Sequence, residues 1–187
     1  MARSDANVRG LGPARHAYER AHVLSGLRGI ALAAGIAFLA IGLHRTTSAT
    51  WLIAAALAAT LATLGWRGGA FRRGALGGVL AGLPPMLAPA IVFALGHGGH
   101  CPDCQMQPTL TCLLTCFGTS SLVGIVVGRY AASDPQARRF GASAIATAIL
   151  TGLLGCATTG FAGALGIVVG LVAGSVTGWV MLYPRRA

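Results

Sequence analysis

The residues best equipped for chemistry lie in one short segment, His97-Gly98-Gly99-His100-Cys101-Pro102-Asp103-Cys104, which sets two imidazoles, two thiols and a carboxylate within eight positions. Imidazole and thiolate suit zinc or reduced copper, and two cysteines separated by two residues can close one edge of a tetrahedral site. Gly98 and Gly99 give the backbone room to fold His97 and His100 back toward Cys101 and Cys104. The same pair of thiols in an oxidising compartment would form a disulfide, so three readings compete: a structural bridge or inert thiols, a metal site, and a redox-responsive pair. Covalent haem does not fit, because Gln105 rather than histidine follows Cys104. Further thiols stand at Cys112, Cys116 and Cys156, to be read first as small apolar packing residues. Five cysteines is an odd number, which leaves at least one thiol unpaired or paired between chains. Met86 and Met106 are soft ligands in principle and filler by default. His16, His22 and His44 have no partner visible in the sequence and read as solvated.

The elements that must position this segment are apolar. Of 187 residues, 55% are hydrophobic and 10% charged, with a mean hydropathy of +0.71, well outside the balance of a water-soluble domain. Stretches of the length a bilayer requires occur at 27–43, 50–66, 75–96, 109–128, 141–158 and 161–182. The fold class expected is therefore all-α, a polytopic bundle of six transmembrane helices occupying 27–183. A polar segment 1–26 precedes it, and a tail 184–187 follows. Neither a removable signal peptide nor a lipidation signal is expected.

All fourteen basic residues are arginine, for a net charge of +10. A basic balance of this size can mark nucleic-acid binding, yet the arginines are dispersed between apolar stretches, so no direct nucleic-acid binding is expected. Arg3, Arg9, Arg15, Arg20 and Arg28 precede or open the first stretch, Arg67, Arg72 and Arg73 follow the second, Arg129, Arg138 and Arg139 follow the fourth, and Arg185 and Arg186 end the chain. Thirteen thus fall on one side of six alternating spans, and only Arg45 on the other. The positive-inside rule then puts both termini in the cytoplasm, and with them the bacterial inner membrane as the location. All five cysteines fall in the outward half.

Three smaller features qualify the bundle. Pro84, Pro85 and Pro89 remove backbone donors from the third helix and predict a bend. Gly166, Gly170, Gly174 and Gly178 recur at spacing four in the last helix, with a shorter version at Gly124 and Gly128, and such stripes admit close helix–helix approach within the bundle or in a homo-oligomer. Thr158, Thr159 and Gly160 predict a tight hairpin. Ala14 to Leu24 reads as a short helix exposed to the cytoplasm.

Two resemblances bear on function. His97, Cys101 and Cys104 reproduce the HxxxCxxC spacing of zinc-binding anti-sigma factors, where the motif belongs to a soluble cytoplasmic helical domain. The whole-chain pattern is similar to that of the six-helix membrane anti-sigma family, the negative regulators of sigma factor. The shared features are a short cytoplasmic N-terminal segment, six spans, cysteines near the outer face, and a linker of the Ser133-Asp134-Pro135 type before a small-residue helix. The family's His-Cys-Pro element between its last two helices is absent here. What the resemblance implies is a regulator without catalysis, in which the N-terminal segment, including Tyr18, Glu19 and Arg20, holds a sigma factor until a metal or oxidant reaches the outer thiols. The alternatives are a quinone-coupled thiol–disulfide oxidoreductase, whose Cys112–Cys116 spacing departs from the usual CxxC pair, and a carrier of metal or small molecules.

Overall fold

In the computed structural model, residues 3–43, 48–96, 108–156 and 161–181 are described, and the described residues form six helices: α1 (Arg3–Leu43), α2 (Ser48–Arg67), α3 (Gly69–Gly96), α4 (Pro108–Ser133), α5 (Ala137–Cys156) and α6 (Phe161–Val180). Four of them, α1 over Glu19–Gly42, α2, α4 over Leu113–Ser133 and α6, are long and apolar enough to cross a membrane. The other two open on arginine pairs, Arg72 and Arg73 in α3 and Arg138 and Arg139 in α5.

Several boundaries differ from the expectations, each for a local reason. The short helix foreseen over Ala14 to Leu24 is the middle of α1, which runs unbroken from Arg3 into the first apolar stretch. The loop foreseen between the second and third stretches almost disappears: Gly68 and Gly69 take φ of 66° and 56°, and these two residues turn the chain from α2 directly into α3. Gly68 closes α2 through its N–H on the Leu64 carbonyl at 3.1 Å. The helix α4 continues past Arg129 to Ser133, where Asp134 ends it, accepting from the Gln136 N–H at 2.8 Å and so turning the chain into α5. The three prolines of α3 do not end it. The helix persists through them to Gly96, with Pro85 fully buried against its neighbours. The hairpin foreseen at Thr158–Gly160 lies outside the described residues.

Packing is organised in pairs. The contact of α4 with α6 is the most extensive, followed by α3 with α5, then α1 with α2. Residue numbers rise together along the first two contacts: Gly170 lies against Phe117 and Ser120, Gly174 against Ser121 and Gly178 against Ile125, while Gly74 lies against Phe140, Gly78 against Ala144 and Gly82 against Thr151. These pairs are therefore parallel, each joined through an intervening helix that runs back. By contrast α1 and α2 are antiparallel, with Gly29 on Leu61 and Gly65 on Ser25. The centre is α5, which touches every other helix, and the α1–α2 hairpin leans on it from outside. One apolar core joins the hairpin to α3 and α5 through Leu57, Leu61, Val79, Met86 and Leu154; a second joins α4, α5 and α6 through Cys116, Ala148, Ile167 and Leu171.

Glycine carries the parallel contacts because, lacking a side chain, it lets two helix backbones meet most closely. A methyl group built on Gly170 would sit 2.7 Å from the Phe117 carbonyl oxygen, and one on Gly124 only 2.6 Å from that of Leu171. All four glycines of the α6 stripe are buried. The α3 stripe, Gly74, Gly78 and Gly82, was not foreseen, although it follows the same four-residue spacing. On the opposite surface large apolar side chains point outward, including Phe38, Leu52, Leu80, Leu122 and Val180. A core of small residues within a shell of large exposed ones is the arrangement expected of helices packed in lipid.

Candidate functional site

The ligand-rich segment, His97, His100, Cys101, Asp103 and Cys104, falls at 97–107, outside the described residues, as do His44, Arg45, Met106, Arg185 and Arg186. The end of α3, the start of α4, the end of α5 and the start of α6 meet at one end of the bundle, since Gly155 packs on Met86 and Gly166 on Leu113. Cys112 in the first turns of α4 and Cys156 at the last residue of α5 belong to this end by their place in the backbone.

Cys116 is the thiol whose side chain is described. It is fully buried, facing α6, where a methyl group built on Gly166 would lie 3.5 Å from its Cβ. That burial shields its side chain from solvent. Met86 is likewise fully buried, among Leu57 and Leu154. Among the described residues no three His, Cys, Asp or Glu side chains gather into a metal-binding group.

The opposite end is defined by charge. There the end of α2, the start of α3, the end of α4 and the start of α5 converge. Arg73 pairs with Asp134 at 3.2 Å, and the guanidinium groups of Arg67 and Arg139 lie 5.7 and 5.9 Å from the centre of the Phe71 ring. Cations on a ring face are attracted by its quadrupole, so Phe71 offsets the crowding of like charges that the sequence places here. His22 joins this end from α1. Its Nδ1 donates to the Trp66 carbonyl at 2.8 Å, and the two rings lie tilted at 6.2 Å, so a residue read from the sequence as solvated in fact caps the end of α2. Glu19 and Arg20 stand exposed on α1 just beyond, with Tyr18 in the same helix.

Between the two ends the interior holds hydroxyls rather than charges. Thr147 on α5 is fully buried and its Oγ1 lies 3.1 Å from the Ala75 carbonyl of α3 and 2.8 Å from that of Ser143. Ser175 returns its proton to the Leu171 carbonyl at 2.6 Å. Ser120 Oγ, Ser121 Oγ and Thr151 Oγ1 are buried without a hydrogen-bond partner among the described residues. Short hydroxyl side chains admit close helix contact as glycine does, and most satisfy themselves on their own helix.

The fold thus defines a class: an all-α bundle with helices fit to cross a membrane, one basic end, and thiols toward the other. No protein-family model matches the chain, and neither a curated protein nor a solved structure shows significant similarity to it.

Proposed function

We propose that the chain is a six-span protein of the bacterial inner membrane, with its basic end in the cytoplasm, that works as a signalling regulator of the anti-sigma kind rather than as an enzyme. In this reading the outer segment His97–Cys104 receives a metal or an oxidant, and the N-terminal part of α1 holds a cytoplasmic sigma factor.

Two sets of groups support the orientation in the membrane. The described arginines from the end of α2 to the start of α5 share one end, as positive-inside topology requires. Exposed aromatics mark two levels: Trp66, Tyr130 and Trp179 at the basic end, Trp51 and Phe161 at the other. At a rise of about 1.5 Å per residue, Trp51 to Trp66 covers roughly 22 Å and Phe161 to Trp179 roughly 27 Å, close to the hydrocarbon depth of about 30 Å at whose edges indoles settle.

The observation that carries the regulatory reading is the continuity of α1. The partner-binding arm and the first span form one helix, and that helix is held chiefly by α2. The hairpin is joined to α3 through the Gly68–Gly69 turn, and α3 ends where the ligand-rich segment begins. A ligand that favours one placement of α3 would therefore tilt α2, and with it the arm. The size of the response is bounded by the difference in the ligand's affinity for the two placements. Against thiol-relay chemistry stands the burial of Cys116, and against proton-coupled transport the lack, among the described residues, of a buried Asp, Glu, His or Arg.

The test is affinity purification of the solubilised full chain, with the retained proteins identified by mass spectrometry. A sigma factor should be retained, and lost when residues 3–26 are deleted. Retention by the truncated chain, or none by the full chain, would refute the reading. Orientation is checked separately: a membrane-impermeant maleimide added to spheroplasts should label Cys101 and Cys104, and labelling only after lysis would reverse the assignment.

A further inference from the structure

At the basic end, α4, α5 and α6 part to leave an open cavity of about 260 Å³ whose walls include Gly128, Ala131, Gly141, Ala142, Arg138 and Trp179. Its origin is the side-chain size of its floor. The close crossing of α4 and α6 at Gly128 and Ser175 borders it, and α5 contributes the small residues Ala137, Gly141 and Ala142. Apart from Arg138 and Ser175, whose hydroxyl is engaged by the Leu171 carbonyl, the walls are apolar. Among the side chains described, this arginine has no acidic partner: Asp134 is engaged by Arg73, and Glu19 lies on α1, outside the cavity. Arg138 is also the second residue of α5, so the first-turn amides of that helix, its positive dipole end, border the same opening. Trp179 supplies an indole at the level of the membrane interface.

We propose that this cavity is a binding site for one anionic glycerophospholipid of the cytoplasmic leaflet, with an acyl chain along the apolar walls and the phosphate-bearing headgroup on Arg138. The inference rests on the membrane reading above. A second, larger cavity, of about 510 Å³ between α3, α4 and α5, makes the contrast. It is lined by Leu80, Val126, Tyr130 and Phe140 with no charged group, and so accepts acyl chains without selecting a headgroup.

The test is native mass spectrometry of the detergent-purified full chain titrated with phosphatidylglycerol or phosphatidylcholine of identical acyl chains. One phosphatidylglycerol should bind in preference. Arg138→Ala should weaken that preference about fivefold, the factor one basic side chain contributes near an anionic surface, and Arg138→Lys should recover most of it. Arg72→Ala removes an equal charge at the same end but away from the cavity, and should change nothing. Ala142→Phe, at an exposed rim position, should displace the bound lipid while the helical circular dichroism stays unchanged. Equal weakening by Arg72→Ala and Arg138→Ala would overturn the proposal in favour of diffuse attraction, as would a wild type without headgroup preference. Alkaline carbonate extraction separates the two levels. A chain released by carbonate refutes the membrane reading itself, whereas a chain retained in the membrane but indifferent to headgroup refutes only the site.

Discussion

Replacing Gly174 by alanine asks whether α4 and α6 meet as closely as described. The methyl group added to Gly174 would run into the Ser121 backbone, with the carbonyl oxygen nearest and the Ser121 carbonyl carbon and Cα at 2.9 and 3.0 Å. Carbon atoms pack best at about 3.5–4.0 Å, so the helices must separate by roughly half an ångström or more around that point. Neither helix can yield locally, because the obstacle is backbone. Overpacking of this kind costs about 1–3 kcal/mol. Alanine also favours the helix by up to about 1 kcal/mol over glycine, and that gain must be removed from the measurement. Gly118→Ala provides it, since Gly118 lies on α4 with nothing within 4 Å of an added methyl group. Unfolding in a series of SDS–detergent mixtures should therefore place Gly174→Ala about 1–3 kcal/mol below Gly118→Ala. The double variant Gly170→Ala/Gly174→Ala should lose less than the sum of the two, because one displacement of α6 relieves both sites. If Gly174→Ala proved as stable as Gly118→Ala, the parallel α4–α6 contact would be wrong, and with it the core built around Cys116.

Other expectations follow from single groups. Gly68→Ala puts a side chain at φ 66° and should cost about 1–2 kcal/mol by the same unfolding assay, with Gly68→Asn costing less. Asp134→Asn keeps the acceptor for the Gln136 N–H but loses the ion pair with the largely exposed Arg73, so it should lower stability by at most about 1 kcal/mol; Asp134→Ala also loses the turn hydrogen bond to the Gln136 N–H and should cost about 1 kcal/mol more. Thr151→Val removes a buried hydroxyl without a partner at nearly constant shape and should leave stability unchanged or raise it, whereas Thr147→Val loses its hydrogen bond and should cost about 1 kcal/mol. Cys116 should resist a small permeant maleimide in the folded protein and react once SDS opens the bundle.

Length and unbroken apolar runs made the six helices legible, because a run of some twenty apolar residues has few other uses. The arginines made the basic end legible too, since they fall between the runs. The four-residue spacing in α6 pointed to close packing, and the same signal in Gly74, Gly78 and Gly82 went unread beside the prolines that follow it. Pairing was not legible. Nothing in a single sequence distinguishes α4 against α6 from α4 against α5, because helix faces of glycine, alanine and serine are nearly interchangeable. The Gly68–Gly69 turn was hidden for a different reason: Arg67, Arg72 and Arg73 read as a solvated loop, while the backbone keeps helix on both sides of two left-handed residues. His22 escaped for want of a visible partner, being hydrogen-bonded to a carbonyl 44 positions away. The ligand-rich segment was the clearest feature of the sequence, and its function is carried by the proposal.

The parallel pairing also sets a schedule for assembly. If the helices enter a membrane as proposed, then while the chain is being made α1 and α2 can close on each other as soon as both are inserted, but α3 must wait for α5 and α4 for α6. Until α6 arrives, the glycine groove of α4 and the hydroxyls of Ser120 and Ser121 face lipid without their intended cover. The last helix made is therefore the one that seals the most extensive contact of the bundle, so a chain interrupted before Phe161 would retain five of its six helices yet present an open, adhesive seam.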